Sequence, residues 1–191
     1  VAGSAASIAA TERSSAHYFQ RPDRDEHGGG FFDESYDTLA TALRGYGYYT
    51  RLAKDGGNWR WELMANGRSP GFEVNDLAYL DRADYKWFNA NISRVWTVPT
   101  SWYRSISTIV GEQRQYTYDG LETDEEPHAF YAMEFPNYWN LRTFWIYKPT
   151  LDDDRLTRGG PAVKHTGYNF EHFQVSTDAR KRAVLDIKVE V

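Results

Sequence analysis

Residues 27–30 read His-Gly-Gly-Gly and residues 67–71 read Gly-Arg-Ser-Pro-Gly. In that order the two strings spell parts of a serine hydrolase. One is a glycine loop that helps to bind an oxyanion, and the other is the G-x-S-x-G elbow that presents a nucleophile. Ser69 would attack, and Asp152, His165 and His172 are candidates for the other triad roles. The chemistry needs a backbone N–H on the residue after the serine. That residue is Pro70, which has none. Residues 71–80 show no helical period, so the strand–turn–helix frame of the elbow is missing too. The spacing from His27 to Ser69 is tight for the intervening α/β units. A hydrolase working through Ser69 stays as a remote alternative, and no catalytic residue is expected.

The other reactive side chains are no better arranged. His17, His27, His128, His165 and His172 show no H-E-x-x-H spacing. His165 and His172 could share a metal, but a solvated or inward-facing pair accounts for them more simply. Asp152, Asp153 and Asp154 offer hard oxygen ligands without the Ca²⁺-loop pattern, and read as a solvated loop. Glu122, Asp124, Glu125 and Glu126 read as a solvated loop tip. There is no cysteine. Neither a metal nor a cofactor is expected.

The elements that must position such residues are strands. The chain has 191 residues and a net charge of −5, with no long basic run, which argues against a nucleic-acid partner. Aromatic residues make up 16%, with 14 Tyr, 10 Phe and 7 Trp, yet the mean hydropathy is −0.70. Many aromatics in a polar chain fit a β-domain with an aromatic binding face. They also fit a membrane β-barrel with aromatic girdles and a wet lumen. No apolar run reaches the roughly 18 residues of a membrane helix.

Along the chain the period is two. Trp59, Trp61, Leu63 and Ala65 alternate with Arg60, Glu62, Met64 and Asn66, and Phe88, Ala90 and Ile92 with Asn89, Asn91 and Ser93. Trp139, Leu141, Thr143 and Trp145 alternate with Asn140 and Arg142, and Ile187 and Val189 with Asp186, Lys188 and Glu190. Successive strand side chains point to opposite faces, so each strand has one apolar and one polar side. The pattern predicts eight strands, at 38–53, 58–67, 85–97, 102–117, 128–135, 138–148, 163–176 and 181–191. Residues 1–7 read as the end of an earlier strand. Short turns near 54–57, 98–101, 136–137 and 177–180 alternate with long links at 20–36, 68–84, 118–127 and 149–161. Short turns at one end and long loops at the other is an outer-membrane barrel layout.

The expected fold is all-β: an antiparallel up-and-down transmembrane β-barrel. Arg60, Glu62, Asn66, Asn89, Asn91, Ser93, Asn140 and Arg142 would line its lumen. Tyr46, Tyr48, Trp59, Trp96, Trp102, Trp139, Trp145 and Tyr147 would form its aromatic girdles, where a ring with a polar handle suits the membrane interface. Arg44, Arg94 and Arg104 fall on the outward face, where a midplane arginine costs about 2–4 kcal/mol. They must snorkel, or the phase slips at a bulge. The alternative is a soluble β-sandwich whose Trp59, Trp61 and Trp87 stack on sugar rings.

Four strings carry a family resemblance: residues 14–23 (SSAHYFQRPD), 58–84 (NWRWELMANGRSPGFEVNDLAYLDRAD), 137–141 (NYWNL) and 153–161 (DDRLTRGGP). They resemble the family called domain of unknown function 5916, across nearly the whole chain and in the expected order. RSPGFEVNDL and RLTRGGP are the most specific. The resemblance implies a bacterial outer-membrane β-barrel that follows a soluble domain similar to family 9 carbohydrate-binding modules. It implies no catalytic residue. Residues 1–191 are then expected to be one segment, of about eight strands, of a larger barrel, with Val191 not the native C-terminus. The implied setting is the outer membrane, with lipid around the barrel, a glycan or other polar ligand, and partner subunits in the envelope. The implied role is uptake, export or envelope attachment, without enzymatic activity.

Overall fold

The computed structural model describes residues 1–24, 36–74 and 79–191. Eight strands form one antiparallel sheet: β1 (Gly47–Lys54), β2 (Trp59–Arg68), β3 (Tyr85–Trp96), β4 (Ser105–Tyr116), β5 (Glu122–Glu134), β6 (Asn140–Lys148), β9 (Tyr168–Ser176) and β10 (Asp186–Glu190). They pair in that order. Between β6 and β9, β7 (Leu151–Asp153) and β8 (Val163–His165) form a separate two-stranded ribbon. The strands are long because alternation persists, and β5 continues through Pro127. The connections at 55–58, 97–104, 135–139 and 177–185 gather at one end; those at 69–84, 117–121 and 149–167 gather at the other, where the long link expected at 118–127 is a five-residue turn.

All eight expected strands exist, with four main shifts of boundary, the last strand beginning at Asp186 and not 181. The first begins at Gly47, not 38, because Ala40 and Leu43 pack into a core beside the sheet. The fifth begins at Glu122, so the acidic run read as a loop tip is strand. Its carboxylates find partners there: Glu122 and Glu125 pair with Arg114, and Asp124 and Glu126 with Lys148. The expected strand at 163–176 divides into β8 and β9 around Gly167, whose N–H donates to Thr150 Oγ1.

The sheet is open. β1 and β10 each pair on one side only, so among the described residues it does not close into a barrel. A sandwich is not formed either, since the only other described sheet is the two-stranded ribbon.

Residues 1–7, expected as strand, instead lead into helix α1 (Ala5–Glu12). Ser4 caps it, its Oγ accepting from the Ser7 N–H at 3.2 Å. The alanines favour helix over strand once a cap fixes the first turn. Only Ala2 keeps a strand-like contact, an isolated bridge to Ala42. Ile8 of the helix packs with Phe19 and Leu43, and Tyr36 and Ala40 lie against them. This small core belongs to a cap built from α1 and the long links.

Candidate functional site

The register sorts the sheet into two faces. Trp59 opposes Arg94, Trp61 opposes Ile92, Leu63 opposes Ala90 and Ala65 opposes Phe88. Across β4 and beyond, Ile92 opposes Val110, Val110 opposes Ala129, and Ala129 opposes Trp145. One face is therefore apolar from strand to strand. The other carries all eight residues expected in a lumen, with Arg60 opposite Ser93, Glu62 opposite Asn91 and Asn140 opposite Glu134. Much of the apolar face is left open, although Ile106 and Met133 at its short-turn end are buried. Leu52, Trp59, Leu63, Phe88, Ile92, Val110 and Phe173 are each 46–59% exposed, whereas Asn89 is buried on the polar face.

Arg60, Glu62, Asn91 and Ser93 come together, with Lys54, Asp55 and Ile109, around a cavity of about 180 Å³. Asn66, Asn140 and Arg142 share the face but lie outside this cavity. Beside it, His128 Nε2 donates to the Asn91 amide oxygen at 2.9 Å, and Asn91 Nδ2 donates to Asn89 Oδ1 at 2.6 Å. Asn91 and His128 are on β3 and β5, both in register with Gly111 of β4 between them. A Cβ on Gly111 would collide with Asn91 Oδ1 and come within 2.7 Å of His128 Nε2. The glycine is the gap through which the two side chains meet.

Most of the residues expected in girdles fall toward the two ends of the apolar face, but Trp145 stands mid-strand in the row of Ile92, Val110 and Ala129. Trp59 and Trp96 lie near the short turns, and Trp102 and Trp139 lie within or beside them. Tyr147 stands further along β6, toward the long links. Tyr48 lies at that end of β1, with Tyr46 stacked on it at 6.3 Å. The arginines on this side each have an account. Arg44 precedes β1 and is exposed. Arg104 pairs with Glu134 at 3.1 Å and stacks on Tyr138 at 4.0 Å. Arg94 sits between the rings of Trp59 and Trp96, at 4.8 and 4.5 Å. Glu112 and Arg114, paired on the same face, bound the apolar band toward the long links. Trp87 lies on the polar face, opposite Asn66, so Trp59, Trp61 and Trp87 make no common platform for a sugar.

The cap holds a buried ionic network that the sequence reading missed. Arg24 pairs with Asp84, whose other carboxylate oxygen accepts from the Tyr118 N–H at 2.9 Å. Asp84 has φ 56°, a left-handed conformation that aspartate tolerates better than most residues. Arg21 pairs with Asp119 at 2.8 Å and approaches Asp154 at 3.6 Å, while Arg82 reaches Asp154 at 3.1 Å. Asp154, expected in a solvated loop, is thus buried among arginines. Arg155 donates to the backbone carbonyls of Ser15, Ala16 and Ala83. Burial, aided by Arg82, pulls its pKa down to about 10. A Cβ on Gly159, at φ 98°, would collide with the Gln20 amide. Three of the strings behind the resemblance, 14–23, 58–84 and 153–161, meet in this one cluster. No residue of the cluster announces its partner locally. Only the co-occurrence of arginine and aspartate in three separate distinctive strings signalled it.

Ser69 is fully buried, accepting from the Tyr46 N–H at 2.9 Å while its own N–H donates to the Tyr46 carbonyl. It pins a turn and is not presented to solvent. His17 is occupied elsewhere in the cap. Its Nε2 donates to the Phe72 carbonyl at 3.0 Å and its Nδ1 accepts from Ser14 Oγ at 3.2 Å. Burial lowers its pKa from 6.5, against the raising effects of Phe72 and Glu73. The His27–Gly30 string lies outside the described residues. His165 and His172 sit in different sheets, and His172 Nδ1 pairs with Glu190 at 3.0 Å. Among the described residues no group of three or more His, Cys, Asp or Glu is arranged to hold a metal ion.

Residues 19–191 match the family described as Domain of unknown function (DUF5916). The chain belongs to this family. The match covers both the open sheet and most of the cap, so DUF5916 is a description of the two together. No curated protein and no solved structure matches the chain.

Proposed function

We propose that this DUF5916 sheet is part of the wall of an outer-membrane β-barrel, with a non-enzymatic role in uptake, export or envelope attachment of a polar ligand. The observation that carries the reading is that most of the apolar face is exposed, Ile106 and Met133 apart, while the polar face is mostly half-buried. A soluble antiparallel sheet puts its apolar face inward, whereas a barrel in a bilayer puts it outward. On β3 the apolar side runs from Trp96 to Phe88, nine residues, at the lower end of the 9–11 that cross a bilayer at a tilt. The edges β1 and β10 leave backbone groups that lipid does not solvate, so the wall needs strand partners at both.

The polar side supports a ligand rich in hydroxyls, of the glycan class. Arg60, Glu62, Asn91 and Ser93 present donors and acceptors around one small cavity. No nucleophile–base pair faces it, which supports passage or holding over chemistry.

One observation favours a second reading. On β4 the apolar side is short, Ile106 to Val110, before Glu112 and Arg114 intervene. A sheet so bounded could instead lay its apolar face on another protein surface of the envelope. Fractionation of cells expressing the native gene separates the two. Recovery in detergent-extracted outer membranes, with heat-modifiable gel mobility, is expected. Recovery as a soluble complex would overturn the barrel in favour of the covered face.

A further inference from the structure

Three of the arginines at the short-turn end of the sheet stack on aromatic rings. Arg104 and Arg180 share Tyr138, at 4.0 and 3.2 Å. Each has its own carboxylate: Glu134 for Arg104, and Asp178 at 2.8 Å for Arg180. Arg94 differs. It stands on the apolar face, directly opposite Trp59 on one side and Thr108 on the other, with Trp96 two residues on. Among the described residues no carboxylate pairs with it, and its Nε is buried without a hydrogen-bond partner.

Two indole faces attract a guanidinium but do not neutralise it. Such contacts are worth about 0.5–2 kcal/mol and leave the in-plane N–H donors unused. An arginine in this setting lacks an anion. The fork of N–H groups matches the oxygens of a phosphate, which it can hold through two parallel bonds. Tryptophan rows mark the headgroup level of a bilayer, so the phosphate at this depth is the one in the lipid headgroup.

We propose that Arg94, clamped between Trp59 and Trp96, is a phospholipid-binding site that holds the headgroup phosphodiester of the leaflet on the short-turn side. This rests on the barrel reading. Trp59 and Trp96 position the guanidinium, and Arg94 makes the contact. The stack also explains how an arginine is carried on an apolar face: at the rim it needs no snorkelling, because its anion comes to it.

The test uses the full native chain in vesicles of phosphatidylethanolamine and phosphatidylglycerol, with retained phospholipid read by native mass spectrometry after extraction. Wild type is expected to keep bound phospholipid. Arg94→Gln is expected to weaken retention by about tenfold, the effect of losing charge-assisted hydrogen bonds. Arg104→Gln, whose native arginine already has a carboxylate, is expected to retain lipid as wild type does. Retention by Arg94→Gln equal to wild type, in a chain that still inserts, would overturn the site and leave the barrel standing. Failure of the wild-type chain to insert at all would overturn the barrel reading itself. If Arg94→Gln does not fold, Arg94→Lys carries the test, since it keeps the charge and loses the fork. Reduced retention there supports the site, and unchanged retention overturns it.

Discussion

In the cap, Ile8 and Leu43 are 1–2% exposed, and Arg21, Arg24 and Asp84 are buried close by. In the sheet, Leu63, Ile92 and Val110 stand half in the open, and the buried side chains are Asn89 on the polar face and Ile106 and Met133 at the short-turn end of the apolar face. The cap thus covers its apolar side chains, and the sheet leaves most of its own uncovered. The cap is organised as a small water-soluble domain, held by a core of three apolar side chains and by ion pairs between distant links. The sheet holds itself by strand pairing and leaves much of its apolar side uncovered. Stability in the cap is therefore a matter of protein contacts. Stability of the sheet depends on what covers it.

The sharpest way to break the cap is to remove Asp84. Asp84→Ala leaves Arg24 buried without its partner and the Tyr118 N–H without its acceptor. A loss of about 3–5 kcal/mol is expected. It should appear as faster amide exchange at Tyr118 and in the links, with strand amides unchanged. Ile92→Arg probes the sheet. In a bilayer it should cost about 2–4 kcal/mol near the midplane, while on a water-exposed surface the cost stays within about 0.5 kcal/mol. Unfolding in lipid and in water would read the difference, and a small cost in both would remove the contrast. Gly111→Ala should cost about 1–3 kcal/mol by separating Asn91 from His128 and crowding β4. Its signature is loss of the His128 ring proton signal with the cap intact.

The smallest expected effect is that of pH on His17. Its pKa is lowered in the folded chain, so the native cap favours neutral imidazole. The contribution of His17 is fully present above the ordinary value of 6.5. It is lost as pH falls through the lowered folded value. Thermal melts of the cap should drop on acidification across that window, and His17→Gln should flatten the profile.

The sheet was legible because its information is local. Period two assigns each residue of 58–68 or 85–96 a face without knowing its neighbours, and the register follows from the turns. The cap was not legible, because its bonds join residues with no local mark. The Arg155 contact with the Ser15 carbonyl spans 140 positions. Asp154 looks like its half-buried neighbours Asp152 and Asp153 until Arg21 and Arg82 are placed beside it. Helix α1 was missed for a related reason: an eight-residue alanine run is too short to signal against a β background, and the Ser4 cap decides it. The eight residues expected in a lumen share one face of the sheet, but only distances show that Arg60, Glu62, Asn91 and Ser93 gather while Arg142 stands apart.

The gap at Gly111 has a consequence for how the sheet is assembled. Asn91 and His128 can touch only if β3, β4 and β5 are all aligned so that the one residue without a side chain lies between them. Slide either outer strand by a single residue and its polar partner turns to the opposite face. The bond then acts as a three-strand proofreading step, which two separately formed hairpins pass only when both have paired correctly.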